Sequence, residues 1–275
     1  MADRLIGRTE FDFAAHGRSA AAEYAKIRPL YEQFAIAAKR ILDDALINGN
    51  IKYNSIDLRA KDVDSFGKKA AKPSELDPKK PKYPNPMKDI TDMAGIRVIT
   101  FLPRTVNEVC ECIEREFTVL EKIDKSLELI DEGKFGYQSI HFLLKMNTSR
   151  SGLTEYQSYK GLKLEVQVRT ILQHAWAEME HDIQYKSPNA IPTLIKRRFI
   201  ALAGLLEIAD REFQTLQDEN ERHESNIENY IASLRKSYDE GDASAKEYAI
   251  EALKDLSLLL ESEKMSEKRD LGDQK

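Results

Sequence analysis

The sequence predicts an α/β fold: a mixed core of four or five strands, with helices before and after it. In the middle of the chain, short segments alternate apolar and polar residues with the period of two that marks a strand with one buried face. The flanking segments repeat apolar residues at helical spacing. Composition agrees, with 41% hydrophobic and 32% charged residues over 275. That is enough chain for one large domain, or for one domain with an accessory part.

Residues 17–48 place Tyr24, Ile27, Tyr31, Phe34, Ile41 and Leu42 at helical spacing and close on Asn48-Gly49. The pattern predicts one long amphipathic helix, bent at Pro29. Residues 51–59 read as a strand, and 62–72 as a short helix capped by Asp62 or Asp64. The run P-S-E-L-D-P-K-K-P-K-Y-P-N-P that follows holds five of the nine prolines and reads as an extended basic loop. Next come a strand at 94–101, a helix at 105–116, strands at 117–125 and 137–146, and a polar insertion over 147–162. A last strand at 163–170 leads into helices at 171–186, 191–238 and 243–262. These divide the chain into an N-terminal helical segment (1–48), a core (49–190), C-terminal helices (191–262) and a charged tail (263–275).

No 18-residue apolar run is long enough for a membrane span. The first residues, M-A-D-R-L-I-G-R-T-E, are too charged for a signal peptide. A cytoplasmic protein without a membrane partner is expected. Cys110 and Cys112, two apart in one helix, have the wrong spacing for a zinc knuckle and read as reduced packing thiols. Net charge is −5, yet residues 52–88 hold ten Lys/Arg against five Asp/Glu. That window is either a local anion site or a solvated loop.

The polar strand residues propose chemistry. In L-E-V-Q-V-R-T, Val166 and Val168 alternate with Glu165, Gln167 and Arg169, which puts a carboxylate, an amide and a guanidinium on one face about 7 Å apart. Asp92 opens D-M-A-G-I-R-V-I-T at the entry of another strand. Two carboxylates on neighbouring strands suit Mg²⁺, which takes oxygen ligands and few protein carboxylates. In R-A-K-D-V-D-S-F-G-K-K, Arg59 and Lys61 share a strand face, and Ser65 and Lys69 lie one turn apart at the start of the next helix, with Lys68 beside them. A hydroxyl, helix amides and cations, with Arg97 and Arg169 on their strands, make a phosphate cradle. In G-Y-Q-S-I-H, Tyr137, Ser139 and His141 share a face suited to stacking on and reading a base. Together these residues point to metal-assisted nucleotidyl or pyrophosphoryl transfer.

The motifs D92-M-A-G-I-R97, G136-Y-Q-S-I-H141 and E165-V-Q-V-R-T170, with R59-x-K61-x-x-x-S65-x-x-K68-K69, resemble the RelA/SpoT synthetase domain over roughly residues 45–190. The short chain and its L-Q-H-A-W-A-E-M-E-H-D form are more similar to stand-alone small alarmone synthetases than to the long bifunctional enzymes. The resemblance implies a nucleotidyltransferase-like sheet of about five strands. It also implies transfer of the β,γ-pyrophosphate of ATP to the 3′-hydroxyl of GDP or GTP, giving (p)ppGpp. Asp92 and Glu165 would then be the catalytic pair and the Mg²⁺ ligands, and Arg59, Lys61, Ser65, Lys68, Lys69 and Arg97 would hold ATP. Lys134, Tyr137, Ser139 and His141 would meet the acceptor nucleotide, with Gln167 and Arg169 in support. Self-association through the C-terminal helices goes with the small synthetases.

The loop I-D-E-G-K-F-G-Y departs from the basic, Asn/Pro-containing loop of many relatives. The form F-G-Y-Q-S-I-H is also similar to toxin members that pyrophosphorylate the 3′ end of tRNA, with an antitoxin as partner, and a few relatives use adenine nucleotides. A catalytically silent nucleotide-binding protein is the third reading. His174, Glu178 and His181 share a helix face, but a di-metal bundle needs a second such motif. The pair His181-Asp182 alone does not make a phosphohydrolase.

Overall fold

The computed structural model describes residues 11–124, 139–186 and 192–272. Helix α1 (Phe13–Asn48) is capped by Asp12, whose side chain accepts from the Ala15 amide, and runs unbroken with Pro29 inside it. It leads to β1 (Ser55–Ala60), α2 (Val63–Ala70), α3 (Pro86–Asp89), β2 (Ala94–Thr100), α4 (Pro103–Glu116) and β3 (Phe117–Asp124). Strand β4 (Ile140–Met146), the turn of helix α5 (Thr148–Ser151) and β5 (Leu164–Thr170) complete the core; then come α6 (Ile171–Lys186), α7 (Thr193–Glu240) and α8 (Ala243–Gly272).

The sheet has the order β1-β2-β5-β4-β3. β2 and β5 run parallel, and the other neighbours are antiparallel. It is therefore the mixed five-stranded sheet that the sequence predicts. One face is apolar: Ile56, Ile96, Val98, Phe142, Leu144, Val166 and Val168 are buried, together with Tyr24, Phe34 and Leu42 of α1 and Val109 and Ile113 of α4. Each such side chain contributes about 1.5–3 kcal/mol by leaving water. The opposite face carries the odd-numbered polar residues.

Several boundaries differ from the sequence pattern. β1 begins at Ser55 rather than Ile51, because Ile51 donates its amide back to Leu46 O and so finishes α1. The proline-rich stretch includes the single turn α3, with Pro86 at a first-turn position where its missing N–H costs nothing. The insertion over 147–162 contains α5 and a 3-10 turn at Gln157–Tyr159. Helix α2 sits close on α1 because both meet at glycine: a Cβ on Gly17 would lie 2.7 Å from Gly67 O. That approach fixes the helix carrying Lys69. Cys110 and Cys112 are both free and buried, and burial pushes the Cys110 thiol up to about 12.

The chain separates into two compact units, residues 1–212 and 213–275. In the first, α7 is joined to the sheet through Asp210, which accepts from the Thr170 hydroxyl at 2.7 Å. In the second, Leu234 and Ala249 are buried. Among the described residues no helix is long and apolar enough to cross a membrane.

Candidate active site

Register builds the polar face row by row. Arg59 pairs with Gly95, and Gly95 with Glu165; one step along, Asp57 pairs with Arg97, Arg97 with Gln167, and Gln167 with His141. Two antiparallel joints and one parallel joint thus bring residues more than a hundred positions apart into two adjacent rows. A cavity of about 360 Å³ opens on them, lined by Asp57, Arg59, Asp92, Gly95, Arg97, Glu165 and Gln167 among others. Gly95 contributes no side chain, which leaves the floor open between Arg59 and Glu165.

Asp92 lies just before β2 and is mostly buried. Its Oδ2 accepts from Lys61 Nζ at 2.7 Å and Lys69 Nζ at 2.9 Å. Its Oδ1 is buried and has no hydrogen-bond partner among the described residues. Burial by itself lifts the Asp92 carboxyl, but the two ammonium groups outweigh it and hold the group below the usual carboxylate range. Tyr24 of α1 braces this corner. Its hydroxyl donates to Lys61 O at 3.0 Å and to Met93 O at 3.1 Å, while Arg28 Nε also reaches Lys61 O. Glu165 Oε1 accepts from the Thr91 hydroxyl at 2.9 Å.

The other end of the cavity is cationic. Arg97 pairs with Glu178 of α6 at 3.0 Å, and its buried Nε has no partner among the described residues. Arg169 is buried and donates to Gln167 Oε1 at 2.7 Å. Burial first, and then the neighbouring Arg97 charge, bring its pKa down to about 10. His174 is likewise lowered, by burial and then by Arg169 and Arg97.

The structure therefore gathers Asp92, Glu165, Arg59, Arg97 and Gln167 at one cavity, with Lys61 and Lys69 joined through Asp92 and Arg169 through Gln167. His141 stands opposite Gln167, with Nε2 2.7 Å from Ser139 Oγ. Ser139 itself lines a separate cavity of about 220 Å³. Ser65 and Lys68 are exposed on α2; the Ser65 amide caps against Asp62 at 2.9 Å. Lys134 and Tyr137 lie outside the described residues. The site also includes Asp57, Thr91, Tyr24 and Glu178, which the sequence motifs do not single out as site residues. Asp57 was within reach of the strand period, two positions before Arg59; Thr91 stands in the turn before β2, where that period gives no signal.

A larger cavity of about 430 Å³ is lined by Arg40 of α1, Arg115 and Glu116 of α4 and Arg150 of α5, among others. Arg115 and Arg150 both bind Glu116 there.

Residues 58–190 match the family model described as a region found in RelA / SpoT proteins. The chain carries a RelA/SpoT region. That region begins within β1 and holds the whole of the polar sheet face beyond Asp57. Among curated relatives, GTP pyrophosphokinase YwaC of Bacillus subtilis is 28% identical over 131 residues, 47% of this chain and 59% of that protein. The match thus spans less than two thirds of that relative. Among solved structures, small alarmone synthetase 1 from Bacillus subtilis shares the fold at a TM-score of 0.59 and 22% identity, covering 73% of this chain and 98% of that one. The same synthetase bound to its product pppGpp gives a TM-score of 0.54 at 24% identity, over 69% of this chain and 93% of that one.

Proposed function

We propose that this chain transfers the β,γ-pyrophosphate of ATP to the 3′-hydroxyl of GDP or GTP, making (p)ppGpp. The observation that supports it most is the pairing of two carboxylates, Asp92 and Glu165, with the cations Arg59, Lys61, Lys69 and Arg97 around one cavity. Phosphoryl-type transfer depends mainly on positioning and charge neutralisation, so a ring of cations matters more than a nucleophilic side chain. In the reaction, the acceptor 3′-oxygen bonds to the β-phosphorus as the bond to the α-phosphate oxygen breaks, and AMP leaves. The acceptor proton is lost in the same step. Glu165 is the group to orient or accept it: Thr91 holds one of its oxygens and fixes the direction of the other.

Arg59 and Arg97 flank the ATP site, and Lys61 and Lys69 reach its phosphates. Gln167 and Arg169 support the floor, while Lys134, Tyr137 and His141 meet the acceptor, with Ser139, on the neighbouring cavity, holding the His141 ring. The bare, buried Oδ1 of Asp92 and the carboxylate of Glu165 fit Mg²⁺, which would neutralise charge on the transferring phosphates. Among the described residues no group of three His, Cys, Asp or Glu could hold a metal ion. Two carboxylates with substrate oxygens is the pattern expected of Mg²⁺. The same reading places the protein in the cytoplasm. Exposed apolar residues of α8, Tyr248, Ile250 and Leu258, support assembly with another copy of the chain.

Incubation with ATP labelled in its β,γ-phosphates, Mg²⁺ and either GDP or deacylated tRNA tests the proposal. Labelled nucleotide from GDP supports it. Label on RNA would transfer the reading to a toxin-type enzyme with an antitoxin partner, and no product from either acceptor would leave a nucleotide-binding protein.

A further inference from the structure

We propose that Lys61 and Lys69 lock Asp92 against free divalent cations, so that the metal ion enters this site with the nucleotide and not ahead of it. The inference rests on the pyrophosphate-transfer reading but concerns the order in which the site fills. Its basis is the asymmetry of one carboxylate. Oδ2 is occupied twice, by ammonium groups at 2.7 and 2.9 Å, while Oδ1 is buried and bare among the described residues. The triad of Asp92, Lys61 and Lys69 therefore carries a net positive charge around the one oxygen left for a metal. An ion on Oδ1 falls within the roughly 4–6 Å over which neighbouring charges dominate a site, and it meets two like charges there. A triphosphate reverses that balance, since its oxygens are alternative acceptors for the ammonium groups and bring negative charge of their own.

The two lysines are not equivalent. The Lys61 side chain is 12% exposed, and its own backbone carbonyl is held by Tyr24 and Arg28. Lys69 is 28% exposed, in the last turn of an eight-residue helix, on a flexible four-carbon stem. Lys69 is the member that leaves Asp92 for the phosphates; Lys61 keeps its bond to Asp92 and meets the phosphates from there. Free-metal affinity is thereby low by construction, and nucleotide arrival releases the lock.

Mn²⁺ binding, followed by electron paramagnetic resonance of the free ion on the whole chain without nucleotide, tests this independently of turnover. K69Q is expected to bind Mn²⁺ at least about tenfold more tightly than the unsubstituted protein, and the double variant K69Q/D92N to lose that gain. Thermal melts establish that each variant is folded. A second measurement needs no variant: calorimetric titration of Mn²⁺ into the unsubstituted protein is expected to show tight binding only once a non-hydrolysable ATP analogue is present, after subtracting Mn²⁺ binding to the analogue alone. Equal Mn²⁺ affinity in the unsubstituted protein and K69Q, or a gain that survives D92N, overturns the lock. Either result leaves the transfer reading intact, because that reading is decided by the labelled-product assay.

Discussion

Replacing Thr91 by Val removes one hydroxyl and almost no volume, and the structure says what that hydroxyl does. It donates to Glu165 Oε1 at 2.9 Å, from the residue immediately before Asp92. A hydrogen bond to an ionised acceptor contributes about 1.5–3 kcal/mol. Glu165 is only half-buried, so water replaces part of the lost donor and the loss falls at the lower end, about 1.5 kcal/mol. Spent on the orientation of a carboxylate at the reacting oxygen, that is roughly a tenfold drop in kcat with KM little changed. Thr91→Ser keeps the hydroxyl and should restore most of the rate. The assay is steady-state turnover of labelled ATP with GDP, alongside thermal melts, which should show a midpoint within about 4 °C of the unsubstituted protein. Turnover in Thr91→Val within about twofold of normal would mean that Thr91 does not set the Glu165 geometry. So would a Ser variant as slow as the Val variant.

Tyr24→Phe removes the hydroxyl that joins α1 to Lys61 and Met93, but both carbonyls keep a second donor, Arg28 Nε and the Lys61 amide. The expected cost is about 1 kcal/mol, seen as a melting temperature lower by about 2–4 °C. Gly95→Ala meets nothing closer than Arg59 Cγ at 3.8 Å, so it should melt normally. Its methyl, however, fills the cavity floor; at about 1–3 kcal/mol for overpacking, a non-hydrolysable ATP analogue should bind at least about fivefold more weakly by calorimetry. His174 is held below the ordinary histidine value by burial and the two arginines. In neutral and mildly alkaline solution it is uncharged in both the folded and the unfolded chain, and its contribution is fully present. As pH falls through about 6.5 the unfolded chain takes up the proton first and stability declines. Thermal melts from about pH 8 to 5 should show this decline, and His174→Gln should flatten it.

The strand β5 is legible in the sequence because its period of two sorts Val166 and Val168 from Glu165, Gln167 and Arg169 without any partner strand. Its neighbours are less so. That Glu165 faces Arg59 across Gly95 follows from two registers, one parallel and one antiparallel, and no local pattern encodes them. The knot of Asp92 with Lys61 and Lys69 is hidden for the same reason. The carboxylate precedes one strand, the first lysine follows another, and the second sits on a helix held by a glycine crossing with α1. Each residue is visible alone as a candidate, but the fact that the lysines occupy only Oδ2 is a matter of tertiary geometry. The Arg97–Glu178 pair shows the limit from the other side. In the sequence, Glu178 lies at helical spacing between two histidines and suggests a metal; in the fold, the same spacing turns it toward an arginine of β2.

Comparing labelled ATP turnover in the unsubstituted chain and in Glu165→Ala asks whether the polar sheet face transfers pyrophosphate, as proposed. Labelled (p)ppGpp from GDP or GTP is expected in the first. No product is expected in the second, which should still melt cooperatively, because Glu165 lines the cavity rather than the core. Product formed at an undiminished rate by folded Glu165→Ala would contradict the proposal.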